Sequence, residues 1–184
     1  ADQGDADAQK LLDELIKKKA QEKKSSTVKG AADDLRKGIY ALILKEYKKA
    51  YKLLLPLAEQ GNLNAQNNLA WMYFDGVGVK EDNKKAIQLL RLAAEQGHAR
   101  SQYDLGSLYK GGEVVPQDYK KVEKWWKLAA EKGNPVAQSF LGKLYADGEG
   151  VSQDYKEAVK WWKLSTKQGY GTSTLKKKLE LLLK

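Results

Sequence analysis

Few side chains in this sequence have the types and spacing that chemistry demands. His98 is the only histidine among 184 residues and there is no cysteine, so neither a histidine pair for a metal ion nor a thiolate nucleophile can be assembled. His98 follows Gly97 in a position where Asn62 and Asn134 stand elsewhere, which reads as a turn residue. Acidic residues are plentiful, but Asp82, Asp118 and Asp154 recur at a fixed interval. Each suits a helix start, where a carboxylate accepts from free backbone amides and complements the helix dipole. No carboxylate pair for hydrolysis is singled out. The loops GVG at 76–78 and GEG at 148–150 could cradle a phosphate. Because they recur with the same interval they read as turn geometry. The expectation is therefore no catalytic, cofactor-binding or metal-binding residue, and no cofactor.

The interval itself identifies the elements. Gly61, Gly97, Gly133 and Gly169 are 36 residues apart, and the columns between them move in step: Gln66, Gln102, Gln138; Leu69, Leu105, Leu141; Tyr73, Tyr109, Tyr145; Leu92, Leu128, Leu164. A fixed period of this length marks a solenoid, in which each unit buries its apolar face only by stacking on its neighbours. Within a unit Ala65, Leu69, Met72 and Tyr73 fall at helical spacing, as do Ala86, Leu89, Leu90 and Ala93, predicting two amphipathic helices. DGVGV at 75–79 is a loop. The periodic glycine closes the second helix in a left-handed conformation. Each unit is an αα-hairpin, and such stacks present long concave surfaces.

The runs AQNNLAWMYFDGVGV, SQYDLGSLYKGGEVV and AQSFLGKLYADGEGV, followed by DYKKVEKWWKLAAEKG and DYKEAVKWWKLSTKQG, resemble Sel1-like repeats, relatives of the tetratricopeptide repeats. The resemblance is strong over 65–171. It implies an all-α, right-handed α/α solenoid superhelix of stacked helical hairpins, of bacterial origin. Ala70 departs from the pattern, standing where Gly106 and Gly142 stand. Residues 31–61 read as one more hairpin, closer to the tetratricopeptide pattern, with Pro56 expected to kink or break its second helix. The units run from about 31–64, 65–100, 101–136 and 137–171, with a capping helix at 172–184 whose Leu175, Leu179 and Leu182 or Leu183 share one face. Residues 1–30 form an N-terminal amphipathic helix (6–22, with Leu11, Leu12, Leu15 and Ile16) and a linker. That helix is expected to cap or cover the solenoid end as a lid, or to be the remnant of a preceding repeat.

Hydrophobic content of 42% supports one elongated core, and no apolar run approaches a membrane span. The lack of cysteine fits a reducing compartment and equally a bacterial periplasm. With a start at Ala1 that is compatible with processing, a periplasmic or secreted bacterial location is favoured and a cytoplasmic one is the alternative. The net charge of +9 suits an anionic partner. Lysines interspersed with acids, and few arginines for base readout, make nucleic acid an unlikely one.

Trp125, Trp126, Trp161 and Trp162 fall in columns filled elsewhere by Leu53, Leu54, Leu89 and Leu90, so they are assigned to packing. Trp71 shares its column with Ser107 and Lys143 and is the leading exposed anchor. In tetratricopeptide folds the first helix of each hairpin lines the concave groove. With Ala70, Gly106 and Gly142 facing the partner helix, the resemblance places Asn67, Trp71 and Phe74, then Tyr103, Ser107 and Lys110, then Ser139, Lys143 and Ala146 in the groove, with Asn64 and Arg100 at its edge. Aromatic anchors, amides and cations are what a surface gripping a peptide offers. In the first hairpin the same geometry selects Leu35, Ile39, Leu42 and Ile43, an apolar stripe that calls for a cover. The expected function is a non-catalytic protein–protein interaction module, an adaptor, scaffold or toxin-neutralising partner binding a peptide or protein loop on its concave face. The alternative is a binder or hydrolase of cell-wall fragments or small molecules. Oligomeric state is not readable.

Overall fold

In the computed structural model residues 29–171, together with Leu175 and Lys177, are described. They contain eight helices and no strand: α1 (29–43), α2 (Tyr47–Glu59), α3 (Leu63–Asp75), α4 (Asn83–Glu95), α5 (Ala99–Gly111), α6 (Tyr119–Glu131), α7 (Pro135–Asp147) and α8 (Tyr155–Lys167). Consecutive helices pack on each other as a stack of hairpins, the α/α solenoid that the periodicity predicts. The helix expected at 6–22 lies outside the described residues, as does most of the cap at 172–184. Leu175, however, is helical and buried against Ala158 and Trp162.

The helix ends have local causes. Asp82, Asp118 and Asp154 accept from the amides of Lys85, Lys121 and Glu157 at 3.0–3.1 Å. Asn62, His98 and Asn134 cap α3, α5 and α7 in the same way. Gly61, Gly97, Gly133 and Gly169 all have φ between 82° and 88°, the left-handed turn expected of them. Pro56 does not break its helix. α2 runs unbroken from Tyr47 to Glu59, because the bond that proline cannot donate would have gone to the carbonyl of Lys52. Both residues are exposed, so water can serve that carbonyl.

Packing inside a hairpin turns on one pair of columns. A Cβ on Gly142 would meet Trp162 Cδ1 at 2.5 Å, and one on Gly38 would meet Leu54 Cδ2 at 2.7 Å. Ala70, the exception, faces a unit with Leu90 in place of tryptophan, and both are fully buried. In this unit alanine and leucine share the space that glycine and tryptophan fill in the later ones. Between hairpins, the Nε2 groups of Gln66, Gln102 and Gln138 donate to the carbonyls of Ala58, Ala94 and Ala130 at 3.0–3.1 Å. These amides tie each unit to the last turn of the one before. Trp126, Trp161 and Trp162 are buried and Trp125 is half-buried, as their apolar columns required.

Candidate interaction groove

The first helices of successive units meet along one face, and two clusters of side chains bridge them. The first joins α3 to α5. Asp104 is buried, and its Oδ2 accepts from Asn67 Nδ2 at 2.8 Å and from Trp71 Nε1 at 3.2 Å. Arg100 Nε lies 3.9 Å from the same oxygen. Asn67 Nδ2 also reaches Ser101 Oγ at 3.0 Å, Ser101 Oγ lies 2.8 Å from His98 Nδ1, and His98 Nε2 lies 3.2 Å from Asn64 Oδ1.

The direction of this chain follows from its fixed members. The backbone amide of Ser101 points at His98 Nδ1, so that nitrogen accepts, and Nε2–H donates to Asn64. The imidazole is therefore neutral. Burial pushes its pKa below the usual value, Asp104 opposes the shift, and Arg100 adds to it. The indole of Trp71 is thus held at its nitrogen while its ring, 36% exposed, leans on Phe74 at 5.5 Å between centroids.

The second cluster joins α5 to α7. Tyr103 stacks on Trp126 with centroids 6.0 Å apart, and Phe140 closes the group at 5.7 Å from Tyr103 and 5.5 Å from Trp126. Burial raises the pKa of the Tyr103 phenol. Ser107 Oγ donates to the Tyr103 carbonyl at 3.0 Å. Lys110 Nζ pairs with Glu149 Oε2 at 2.6 Å, and the Tyr119 hydroxyl donates to Glu149 Oε1 at 2.6 Å. Hydrogen bonds from Lys110 and Tyr119 hold the Glu149 carboxyl below its ordinary range.

The structure sorts the expected residues unevenly. Asn64, Trp71 and Arg100 meet in the first cluster with Phe74 beside them, and Tyr103, Ser107 and Lys110 meet in the second. Ser139 is half-buried and its carbonyl accepts from Trp162 Nε1 at 3.0 Å, while Lys143 is exposed and acts on Glu149 only through its charge. Asn67, expected to point into the groove, is instead 3% exposed and committed to Asp104 and Ser101. Leu35 and Leu42 pack on the core of the first unit. Ile39 and Ile43 remain 36% and 70% exposed.

Asp104 and Phe140 were missed. They share a column with Asn68, two residues before Ala70, Gly106 and Gly142, and that position leans back onto the preceding first helix. The signal was present, since this column varies in chemistry as the Trp71 column does. His98 and Ser101 were legible in the same way: the one unit with histidine for asparagine also has serine for alanine.

Charge divides the two faces. Fourteen basic and five acidic residues lie on α2, α4, α6 and α8, against six and five on α1, α3, α5 and α7. The surplus of positive charge is on the outer helices, and the groove does not share it. Among the described residues no cluster of histidine or carboxylate groups could hold a metal ion, and no helix is long and apolar enough to cross a membrane.

The family model described as Sel1 repeat matches residues 35–62, 63–98, 99–134 and 135–170. The chain belongs to the Sel1 repeat family. The match takes in the first hairpin, which the sequence alone placed nearer the tetratricopeptide pattern. Among solved structures, a Sel1 repeat protein from Oxalobacter formigenes is 37% identical with a TM-score of 0.65, over 69% of this chain and 94% of that one. A protective antigen present in uropathogenic Escherichia coli strains is 32% identical with a TM-score of 0.69, over 82% of this chain and 33% of that one. Cysteine rich protein B of Helicobacter pylori, 23% identical with a TM-score of 0.55 over 68% of this chain and 92% of its own, shares the fold. No curated protein matches. Sel1 repeat proteins are generally protein-interaction modules and generally non-catalytic.

Proposed function

We propose that this chain is a non-catalytic adaptor, scaffold or toxin-neutralising partner that binds a peptide or protein loop on the concave face built by α1, α3, α5 and α7. The observation that carries this reading is Trp71. An indole 36% exposed on that face, fixed through its nitrogen to a buried carboxylate, is a pre-organised anchor that loses little side-chain entropy on binding. Phe74 lies against the ring, and Phe140 adds a second exposed aromatic ring at Tyr103. The two carboxylates in the clusters support a binding role over hydrolysis, since Asp104 is engaged by Asn67 and Trp71, and Glu149 by Lys110 and Tyr119.

The test compares wild type with Trp71→Ala as baits for protein from a bacterial lysate, with a photo-crosslinker at Lys143 or, as the outer-face control, at Lys163. Tyr103 is left intact because its stack on Trp126 supports the fold. A protein retained by the wild type, lost from a folded Trp71→Ala and crosslinked from Lys143 alone is the expected result. Equal recovery on both baits, or crosslinking from Lys163 alone, removes the concave face from consideration.

A further inference from the structure

On the outer face, between α2 and α4, lies a cavity of ≈ 510 Å³ with Leu55, Leu69, Leu89 and Leu92 in its lining, together with the charged Glu59 and Lys85. Its size falls within the range of about 300–1,000 Å³ usual for ligand pockets. The repeat explains why it exists. The same groove recurs between α4 and α6 and between α6 and α8, with Leu105 and Leu141 for Leu69, Tyr109 and Tyr145 for Tyr73, and Leu128 and Leu164 for Leu92. At the position of Leu89, however, the later units carry Trp125, half-buried against the core, and Trp161, 4% exposed. The first groove is the one without an indole. It also has Leu55 where the others have Arg91 and Lys127, so its wall is more apolar than theirs.

A second observation concerns hydrogen bonding. Gln66 lines the cavity, is 1% exposed, and its Oε1 has no partner. The equivalent oxygen of the middle groove, on Gln102, is likewise without a partner, and in the last groove that of Gln138 accepts from Gln168 Nε2 at 2.8 Å, whereas Gln96, the counterpart of Gln168, turns its Nε2 to the Leu92 carbonyl. A buried acceptor left unpaired is costly and favours an incoming donor.

We propose that this cavity is a second binding site, separate from the concave face, and that it takes a tryptophan side chain presented by a partner polypeptide. The chain itself shows that an indole suits this groove, having placed its own in the other two. An indole supplies apolar area for the leucines, as Trp125 and Trp161 do for the equivalent columns of the later units. Glu59 and Lys85 offer partners to the peptide groups that flank the ring in a chain, which favours a polypeptide over free indole.

The test is a titration of methyl-labelled protein with a blocked Gly-Trp-Gly tripeptide and, in parallel, with indole, followed at the methyl groups of Leu55, Leu69, Leu89 and Leu92. Saturable shifts confined to those methyls are expected from the tripeptide, with affinity weakened about tenfold or more in Leu89→Trp. That variant fills the cavity with the chain's own ring and should melt no lower than wild type. Leu55→Arg, which copies Arg91 in the next groove, gives the same loss of affinity should Leu89→Trp fold poorly. No saturable shift, or unchanged affinity in a folded variant, overturns the site. Indole binding about tenfold tighter than the tripeptide overturns the polypeptide as its source. Neither outcome bears on Trp71, which lies on the other face.

Discussion

A Cβ on Gly106 would stand 2.5 Å from Cδ1 of Trp126, so the bare backbone of α5 is the seat of the α6 indole. The ring nitrogen then donates to the Tyr103 carbonyl at 3.1 Å, one turn back on the helix that holds the glycine. The unit with Ala70 in the glycine column has Leu90 in the tryptophan column, while the first unit keeps Gly38 against Leu54.

Gly106→Ala should therefore destabilise the protein by about 1–3 kcal/mol through overpacking, despite a gain of roughly 1 kcal/mol in helix propensity. Combined with Trp126→Leu, which restores the pairing of Ala70 with Leu90, the loss should be smaller than the sum of the two single losses, by about 0.5–3 kcal/mol. Urea denaturation of the four proteins measures this coupling, and strict additivity would contradict the pairing.

His98 should make stability depend on pH. Its folded-state pKa is lowered, mainly by burial, so the unfolded chain binds the proton more readily. The stabilisation is fully present above the unfolded value near 6.5 and is lost as pH falls below it toward the folded value. The charges that act on the ring are Asp104 and Arg100 on α5. His98→Asn copies the caps of α3 and α7 and should flatten the pH dependence in that window. Thermal melts across it compare the two proteins.

Asp104 should matter more to Trp71 than to the core. Asp104→Ala leaves the buried Asn67 amide one acceptor short, at a cost of about 1–3 kcal/mol. It also frees the Trp71 indole N–H, which should shift and exchange faster in proton NMR spectra. An unmoved indole signal would show that the bond to Asp104 does not hold the ring.

Two glycines with positive φ should respond differently to alanine. Gly133 has φ +85° and open space around it, so Gly133→Ala should cost only backbone strain of about 1–2 kcal/mol. Gly150 has φ +71°, and its missing Cβ would run into the ring of Tyr119, whose hydroxyl holds Glu149. Gly150→Ala should lower Tm further, and equal shifts for the two variants would remove Tyr119 from the explanation.

What the sequence by itself determined is whatever depends on near neighbours in the chain. The 36-residue period, the two helices per unit, the capping aspartates, the left-handed glycines and the buried tryptophans all follow from helical spacing and turn chemistry acting over a few residues. The continuity of α2 through Pro56 already lies past that limit, because it depends on which way the Lys52 carbonyl faces. Only the tertiary structure decided what meets across the units. Asn67 is drawn inward because a carboxylate 37 residues away comes within 2.8 Å of it. Phe140 joins Tyr103 because the position two residues before the packing glycine tilts toward the preceding first helix, and the outer cavity opens because one leucine stands where two later units have tryptophan. Such contacts are set by the separation and angle of neighbouring helices. A periodic sequence predicts that neighbours stack, and the packing of their side chains then selects the pairs that touch.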